Sequence, residues 1–448
     1  MGIRALLLSL AAVGCGDPAR AAHEMAAPRV DDGRDAFWPH WRGPTGNGVA
    51  PKADPPTEWN EKKNLRWKLA LPGLGHSTPI VWRDRVFVTA AVPFGDAVAP
   101  SAGHRDGEHD NQEAVRRQKF LVLAIDRADG KIVWQRTVKE GLPHESGHRT
   151  GSLASHSPVT DGERVYASFG SNGLYALDWD GRPLWQKDFG PMHSLHAHGE
   201  GSSPALHGET LIVNWDHEGS SFVVALDTRT GKERWTSARE EITSWSTPLV
   251  VEHGGKPQVV ISATKRIRGY DLATGRLLWE CGGLSQNVVA SPVAGDGIVI
   301  AGSSYEKRAM VAIRLEGAQG DITGKDRVIW TRDRNTPYVP SPLLYEDKLY
   351  FFSHYQGILF CLDARTGAAH YGPARLPEVS DFYASPLGAA GRVYVTSREG
   401  VTLVLKHGPA LEVLATNRLD DRFSASPVAV GGDLLLRGER HLYCLSKE

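Results

Sequence analysis

Histidine is concentrated in the first half of the sequence. Eleven of the 18 histidines lie between residues 76 and 217, most of them in glycine-rich polar stretches such as GLPHESGHRTGS and GPMHSLHAHGEG. Imidazole and carboxylate groups are the ligands that zinc and other divalent metals prefer. The sequence therefore offers one candidate metal site, made of His144, His148, His196, His198, Asp216 and Glu218.

The same residues also fit a surface that binds no metal. His-x-His and His-x3-His pairs arise often by chance, and neither pair here lies on a predicted strand that would fix its geometry. A polar, hydrogen-bonded loop surface is therefore the alternative interpretation. Serine accompanies histidine in SHSP and in the neighbourhood of GEGSSP, but the same serine-proline step recurs where no histidine is near. That recurrence indicates structure rather than nucleophilic catalysis.

The recurring serine- or threonine-proline step marks a repeat that would position these loops. Its eight prolines are separated by 79, 46, 44, 44, 50, 44 and 41 residues. All intervals but the first match the period of a four-stranded propeller blade. The anchor prolines are Pro79, Pro158, Pro204, Pro248, Pro292, Pro342, Pro386 and Pro427.

Each repeat unit has the pattern of an antiparallel meander. Proline donates no backbone N–H, so the anchor suits the innermost strand of a blade, which is an edge strand. A phrase such as ALDTRTGKERW supplies the third strand, a tight turn and a fourth strand that carries a large aromatic residue. We expect this residue to pack against the neighbouring blade. The expected packing residues are Trp67, Trp134, Trp185, Trp235, Trp279 and Trp330, with Tyr371 and Leu414 in the sixth and seventh units.

The eighth unit ends without a fourth strand, whereas NLRWKLALPG near the N-terminus is a strand without a unit. Pairing the two would leave no free sheet edge. The sequence therefore predicts an all-β, eight-bladed propeller of four-stranded antiparallel blades over residues 59–448, with the last blade closed by the N-terminal strand.

An insertion at residues 93–118 lengthens the first unit. Its polar composition favours a disordered surface excursion, and the alternative is a lid over the channel mouth. In the predicted propeller, the links between blades and the loops between second and third strands lie around that mouth. Most of the clustered histidines belong to these segments.

The repeated phrase, in ALDTRTGKERW and YDLATGRLLW, resembles the pyrroloquinoline quinone (PQQ)-type propeller repeat of quinoprotein dehydrogenases and of the BamB-type outer-membrane assembly lipoprotein. The resemblance covers residues 59–448. The opening WPHWRGPTGNG is similar to the lead-in of exported bacterial PQQ-like propellers of unassigned function. The resemblance implies the propeller fold, and a fold does not by itself decide a function.

The resemblance also raises the possibility of a bound quinone. A quinone site needs an aromatic floor and a calcium site of carboxylate and amide oxygens. Trp215, Trp245 and Asn214 are the candidates for these roles, although both tryptophans also suit a packing role. The adjacent cysteine pair typical of many quinoprotein alcohol dehydrogenases is absent, since the four cysteines are widely spaced.

The N-terminus has the features of an export signal. One arginine precedes a short apolar run, and we interpret residues 1–21 as a signal peptide and residues 22–58 as a linker or lead-in. AVGC resembles a lipobox with Cys15 as the lipidated residue, whereas Ala19 and Ala21 fit ordinary cleavage. The sequence predicts an exported protein that is periplasmic, membrane-anchored as a lipoprotein, or secreted.

The charge balance narrows the possible partners. There are 51 Lys and Arg against 52 Asp and Glu, so no global field attracts nucleic acid. We expect a monomeric, non-catalytic scaffold that binds a protein or a small-molecule ligand at its channel-mouth rim, without an assigned cofactor. The alternative is an enzyme, either a PQQ-dependent dehydrogenase or a metal-dependent activity at the histidine-rich rim.

Overall fold

The repeat folds into eight antiparallel sheets. The computed structural model describes residues 1–2, 33–99 and 107–447, so the predicted signal peptide and Cys15 lie outside the described residues. Residues Gly33–Glu448 form one compact unit. The segments at Arg34–Ala36, Gly170–Asn172 and Leu195–Ala197 are short 3-10 helices. No helix among the described residues is long and apolar enough to cross a membrane.

The strands of the first half are β1 (Leu65–Ala70), β2 (Ile80–Trp82), β3 (Arg85–Phe94), β4 (Asn111–Gln112), β5 (Arg117–Asp126), β6 (Ile132–Gly141), β7 (Gly147–His148), β8 (Val159–Thr160), β9 (Arg164–Ser168), β10 (Leu174–Asp178), β11 (Pro183–Lys187), β12 (Ala205–His207), β13 (Thr210–Trp215), β14 (Phe222–Asp227), β15 (Glu233–Ala238), β16 (Leu249–His253), β17 (Lys256–Ile261), β18 (Ile267–Asp271) and β19 (Leu277–Cys281).

The strands of the second half are β20 (Val293–Gly295), β21 (Ile298–Ser303), β22 (Ala309–Arg314), β23 (Gly320–Asp321), β24 (Val328–Arg332), β25 (Leu343–Tyr345), β26 (Lys348–Phe352), β27 (Ile358–Asp363), β28 (Ala369–Arg375), β29 (Leu387–Ala389), β30 (Arg392–Thr396), β31 (Val401–Lys406), β32 (Val413–Arg418), β33 (Val428–Val430), β34 (Asp433–Arg437) and β35 (His441–Ser446).

The sheets confirm the predicted eight-bladed propeller. From the axis outwards, the blades are β2-β3-β5-β6, β8 to β11, β12 to β15, β16 to β19, β20-β21-β22-β24, β25 to β28, β29 to β32, and β33-β34-β35-β1. Each anchor proline immediately precedes the innermost strand of its blade. The last blade takes β1 as its outer strand, with Trp67 opposite Cys444, so the N-terminal strand closes the ring as predicted.

A ring of hydrogen bonds around the axis explains the serine or threonine before each anchor proline. The backbone N–H of this residue donates to the hydroxyl of its counterpart in the next blade, at 2.8–3.2 Å. The last bond runs from Ser426 back to Thr78 and completes the circle. The repeated hydroxyl therefore satisfies a buried N–H at every blade junction. Its members are Thr78, Ser157, Ser203, Thr247, Ser291, Ser341, Ser385 and Ser426.

A second set of contacts joins the blades at the periphery. The indole N–H of Trp185 donates to Thr228 O in the next blade at 2.9 Å, and its ring covers Gly231, whose φ is +67°. A Cβ at Gly231 would lie 2.7 Å from this ring, so the glycine of the turn admits the tryptophan as well as the positive φ. Four other repeat tryptophans make the same contact with the following blade: Trp67, Trp134, Trp235 and Trp330.

Trp279 does not make the contact with the following blade that the repeat predicts. Its indole donates to Gln258 Oε1 within its own blade at 2.9 Å. The segment between β22 and β24 of the following blade is long, and its strand β23 pairs in parallel with β19, placing Gly320 opposite Trp279. This extra strand extends blade 4 to five strands. The tryptophan side chain is fully buried beneath the longer segment instead of covering a turn.

The lead-in before β1 crosses the inner strands at one end of the channel. Trp38 exchanges backbone hydrogen bonds with Val81 in β2, and Ala50 N donates to Gly388 O in β29. The guanidinium of Arg42 is buried and donates to Pro342 O at 2.5 Å and to Pro386 O at 2.9 Å. Residues 38–50 therefore bind to several blades, whereas the sequence indicates only a linker or lead-in over residues 22–58.

Candidate functional site

A cavity of about 910 Å³ lies on the propeller axis and is lined by residues from all eight blades. Trp41 of the lead-in also lines it. Because the lead-in pairs with inner strands near their first turns, it closes the end of the channel opposite the histidine-rich loops. The cavity is therefore a blind pocket that opens among those loops.

Four histidines pack together at the mouth of this cavity. We call His109, His148, His196 and His198 the histidine ring cluster. The ring of His198 lies 4.8 Å from those of His109 and His148 and 5.3 Å from that of His196, measured between centroids. Burial and the neighbouring imidazole of His148 lower the pKa of His198 to about 4. His198 is consequently uncharged near neutral pH, which allows it to pack against the other three rings.

The nitrogen atoms of this cluster face separate oxygens. His109 Nδ1 lies 3.0 Å from Gly107 O, and His198 Nε2 lies 3.2 Å from His109 O. His148 Nδ1 lies 2.7 Å from the hydroxyl of Thr150. Three of the six candidate metal ligands, His148, His196 and His198, thus pack ring against ring. Their nitrogen atoms do not converge on one point that an ion could occupy.

A second group lies on the other side of the same two loops. His144, Glu145 and His193 each offer a ligand atom within 4.8 Å of the other two, the one group of three or more among the described residues that does so. We call these three residues the His-Glu-His group. Only His144 belongs to the set proposed from the sequence. Glu145 and His193 stand beside the candidates in the two histidine-rich stretches, but sequence spacing cannot show which way each side chain points.

Asp216 and Glu218 take part in other contacts. The carboxylate of Asp216 receives two hydrogen bonds from Arg239, at 2.7 and 3.0 Å, and both side chains are 0% exposed. Glu218 Oε1 accepts from the backbone N–H and the hydroxyl of Thr243. The structure therefore does not bring these two carboxylates to His144, and it uses them to fix the loops of blade 3.

The loop between β11 and the third anchor proline, Pro204, is held in a strained conformation. His196 and Ala197 both have positive φ, at +56° and +51°, which costs energy in residues other than glycine. Asn111 donates to His196 O at 2.8 Å, and Thr243 accepts the N–H of Leu195. Such strain persists where the surroundings determine the backbone, as is common at binding sites.

Part of the insertion at 93–118 is ordered against this mouth. Strands β3 and β5 extend to Phe94 and from Arg117 as a long pair, and β4 pairs with β7 through Asn111 and His148. The loop between β6 and β8 then reaches across the channel, where the Thr150 hydroxyl lies 3.1 Å from the Tyr383 hydroxyl of blade 7. These segments overhang the cavity mouth.

An aromatic wall faces the histidines across the cavity and was not identified from the sequence. The centroids of Tyr338 and His354 are 4.7 Å apart, and those of Tyr355 and Tyr383 are 6.0 Å apart. The guanidinium of Arg398 lies 4.5 Å from the centroid of Tyr383. The aromatic wall comprises Tyr305, Tyr338, His354, Tyr355 and Tyr383, all of which line the cavity.

One position of the repeat accounts for much of this lining. The residue three places before the anchor proline lines the cavity in every blade. The anchor proline sets the position of the inner strand in every blade. The residue three places before this proline therefore faces the axis in all eight units. These residues are His76, Ser155, Gly201, Trp245, Val289, Val339, Tyr383 and Ser424. The signal was available in the sequence, once the eight anchors had been aligned.

Several lining residues carry buried polar atoms without a hydrogen-bond partner among the described residues. They include His76 Nε2, His156 Nδ1, Asn287 Oδ1 and Ser424 Oγ. Burial lowers the pKa of His156 to about 4, so its imidazole is neutral and can both donate and accept. An unpaired buried polar atom costs about 1–3 kcal/mol. The wall is therefore suited to a polar ligand.

The three quinone candidates have different surroundings, and only one of them lines the axial cavity. Trp215 packs in the core of blade 3, with centroids 5.1 Å from Phe189 and 6.1 Å from Phe222. Asn214 donates to Asp216 at 3.2 Å. Trp245 lines the cavity and donates to Gly199 O at 2.7 Å. Only Trp245 is in a position to contact a ligand in the cavity.

Glu200 is a titratable group in the cavity wall. Ser171 donates to it through both its N–H and its hydroxyl, at 2.7 and 2.5 Å. A Cβ at Gly170 would lie 1.4 Å from Glu200 Oε2, so glycine is required beside it. Burial, with a contribution from Glu145, raises the pKa of Glu200 from 4.5 to about 7.

We expect Glu200→Gln to change how stability depends on pH. A carboxyl group with a raised folded-state pKa stabilises the fold fully below pH 4.5, and this contribution is lost as pH rises through about 7. The difference in unfolding free energy between the parent and the variant should therefore decrease across that window. Chemical unfolding at a series of pH values measures it.

The exposed Glu209→Gln is the control for this experiment. His76 and His156 contribute the opposite pH dependence to the free energy of unfolding. Because their pKa values are lowered in the folded state, their contribution increases as pH rises to about 6.5. Subtracting the variant curve removes their contribution. Parallel curves for the parent and Glu200→Gln would show that this carboxyl titrates normally.

Comparisons with known proteins agree with the fold. A family profile described as outer membrane protein assembly factor BamB matches residues 118–372. The crystal structure of BamB from Moraxella catarrhalis is 14% identical, covers 85% of this chain and 99% of its own, and has a TM-score of 0.57. No curated protein matches the sequence.

Quinohemoprotein alcohol dehydrogenases are also structurally similar. The enzyme from Comamonas testosteroni is 11% identical, with a TM-score of 0.60, over 92% of this chain and 81% of its own. An enzyme of this kind from Pseudomonas putida HK5 is 12% identical, with a TM-score of 0.58, over 93% of this chain and 81% of its own. At such identities the similarity shows the propeller fold alone.

Proposed function

This chain belongs to the BamB family of PQQ-like repeat propellers, and we propose that it is an exported, non-catalytic propeller that binds a ligand through its channel mouth. The observation that carries the proposal is the blind cavity of about 910 Å³, with its unpartnered polar atoms. Its volume lies within the range of about 300–1,000 Å³ found for small-molecule sites.

The lining favours a small molecule with a flat or apolar face and several polar groups. The aromatic wall supplies faces for stacking. His76, His156, Asn287 and Ser424 supply donors and acceptors on the remaining walls. A protein partner is the other ligand that this rim would suit, through a loop that enters the cavity.

A PQQ-dependent dehydrogenase is the alternative function, and the residues do not fit the cofactor. The three described cysteines are buried in different blades, so no adjacent pair is present among them. Two carboxylates near the axis already have protein partners: Glu200 accepts from Ser171, and Asp381 Oδ2 pairs with Arg398. Asn214 and Asp216 are held in the blade 3 network.

Export is part of this proposal. Residues 1–21 would be the signal peptide, Cys15 the site of a possible lipid anchor, residues 22–58 the lead-in and residues 59–448 the propeller. The mature protein would then be a periplasmic, lipid-anchored or secreted monomer.

Cavity variants test the proposal. The full chain is screened by thermal shift against monosaccharides, nucleosides and small aromatic acids, and compounds that raise Tm are measured by calorimetry. Ser424→Val removes an unpartnered hydroxyl and introduces the residue that blades 5 and 6 carry at this position, Val289 and Val339. We expect it to weaken binding by about 5- to 150-fold, because the loss of a buried hydrogen bond costs about 1–3 kcal/mol.

A second variant and a control complete the test. Asn287→Gly removes an unpartnered acceptor without strain, because φ at residue 287 is +59°. His370→Ala changes an exposed side chain outside the cavity lining. Binding that survives both cavity variants, or no binding by any class of compound, would contradict the proposed site. If a protein partner binds both cavity variants as tightly as the parent, its interface lies outside the cavity.

A further inference from the structure

We propose that the His-Glu-His group, His144, Glu145 and His193, binds a borderline divalent metal ion of the Zn²⁺ type at the cavity mouth. This inference does not depend on the small-molecule ligand, because it rests on the geometry of three side chains. It also differs from the six-residue site that the sequence suggests, since it shares only His144 with that set.

The two distances from Glu145 are close to those around a single ion, and all three ligand atoms lie within 4.8 Å of one another. Ligand atoms around a tetrahedral zinc ion, with bonds of about 2.0–2.2 Å, are about 3.3–3.6 Å apart. Glu145 Oε2 lies 3.3 Å from His193 Nδ1 and 3.9 Å from His144 Nε2. The first pair therefore already has the required separation, and the second requires a movement of about half an ångström.

Neighbouring groups orient the carboxylate. Ser194 donates to Glu145 Oε1 through its N–H at 3.1 Å and its hydroxyl at 2.6 Å. These bonds turn Oε2 towards the two imidazoles. The backbone N–H of His193 donates to His217 Nδ1 at 3.2 Å, which fixes the backbone beside this ligand. His144 Nε2 lies 2.7 Å from Met192 O, so this nitrogen must exchange that contact for the ion.

Burial and ligand type indicate which ion would bind. The side chain of Glu145 is 6% exposed, whereas that of His193 is 52% exposed. The exposed imidazole leaves a route by which an ion can enter and reach the buried carboxylate. Two imidazoles and one carboxylate suit zinc, cobalt or nickel rather than calcium or magnesium, which prefer oxygen ligands.

The position of the group gives the ion a role. His144 and Glu145 line the cavity, and three protein ligands leave coordination positions open. An ion here would present those positions to the cavity, where a carboxylate or hydroxyl oxygen of a ligand can complete the coordination. The metal would then add a charged contact to the cavity wall.

Zinc titration of the full chain tests this inference. The protein is prepared without a histidine tag, treated with chelator and titrated with Zn²⁺ alone by calorimetry and equilibrium dialysis. We expect one equivalent to bind, and excess Ca²⁺ not to displace it. Glu145→Gln and His193→Ala should each weaken binding at least tenfold, because each removes one of three ligands. Co²⁺ should give visible absorption that disappears in both variants.

His109→Ala is the matched control, because it removes an imidazole from the histidine ring cluster and leaves the His-Glu-His group intact. It should bind Zn²⁺ as the parent does. Loss of binding in His109→Ala with retention in His193→Ala would assign the ion to the ring cluster and overturn the proposal. Absence of stoichiometric binding to the parent would also overturn it. If Glu145→Gln fails to fold, the exposed His193 still gives a decisive variant.

Discussion

A chain that lacks residues 1–70 is expected to lose the soluble, monomeric ring. The deletion removes β1 from β35 and exposes the edge of the last blade over His441–Ser446. It also removes the buried side chains of Trp38, Trp59 and Trp67 from the core. Truncating one buried tryptophan costs about 3–5 kcal/mol, and whole domains are stable by only about 5–15 kcal/mol. We therefore expect aggregation through the free edge.

The comparison that isolates this effect is a chain lacking residues 1–32, which retains the lead-in from Gly33 and β1. Size-exclusion chromatography and thermal unfolding of both chains measure the difference. The shorter deletion should leave a monomer with a cooperative transition. A soluble, equally stable chain after the longer deletion would show that the ring does not need its N-terminal strand.

Asp216→Ala is expected to destabilise the propeller by about 3–5 kcal/mol, because it leaves the buried guanidinium of Arg239 without its carboxylate. Burial by itself would lower the pKa of Arg239, but Asp216 and Tyr270 more than offset it and the pKa is raised. Without Asp216, the buried guanidinium keeps the cost of its desolvation and loses its ion-pair partner. The free energy of unfolding in urea measures the loss.

Two further variants show that the pairing causes this loss. Glu58→Ala breaks an exposed ion pair with Lys63, and such pairs contribute about 0–1 kcal/mol. Replacing both partners, Asp216→Leu with Arg239→Met, should recover much of the stability, since apolar replacements of buried ion pairs are often tolerated. A loss below about 1 kcal/mol in Asp216→Ala would contradict the structural role given to this aspartate.

The ring was predictable because its determinants are local and repeated. Asp227 Oδ1 accepts hydrogen bonds from the N–H groups of Arg229 and Thr230, and Asp271 forms the same turn with Ala273 and Thr274. Each phrase thus specifies its own hairpin. The anchor hydroxyls then specify the junctions between blades, so the period of the sequence is sufficient to count the blades.

The site was less predictable because it depends on contacts between distant segments. Sequence spacing identified the histidine-rich loops, but the direction of each side chain follows from partners such as Ser194 and Thr243. These hydrogen bonds orient Glu145 towards the histidines and Glu218 towards the backbone N–H of Thr243. The aromatic wall was missed for a different reason. Its tyrosines precede anchors or follow second strands in blades without clustered histidines, where nothing but the register of the repeat marks them.

Departures from the repeat arise where an insertion competes with it. Trp279 follows the phrase as its counterparts do, yet β23 occupies the surface beside it and changes its partner. The lead-in behaves similarly, because the buried Arg42 finds its acceptors in blades 6 and 7, about 300 residues away. Local pattern contains no information about such contacts.

Native mass spectrometry of the full chain, purified from its native source and compared with Ser424→Val, tests the central claim most directly. Our account predicts a parent protein that carries a small molecule, together with a variant in which that added mass is absent or greatly reduced. Detection of the parent protein at its polypeptide mass alone would contradict the assignment of the axial cavity as the binding site. An added mass that is unchanged in Ser424→Val would contradict it as well.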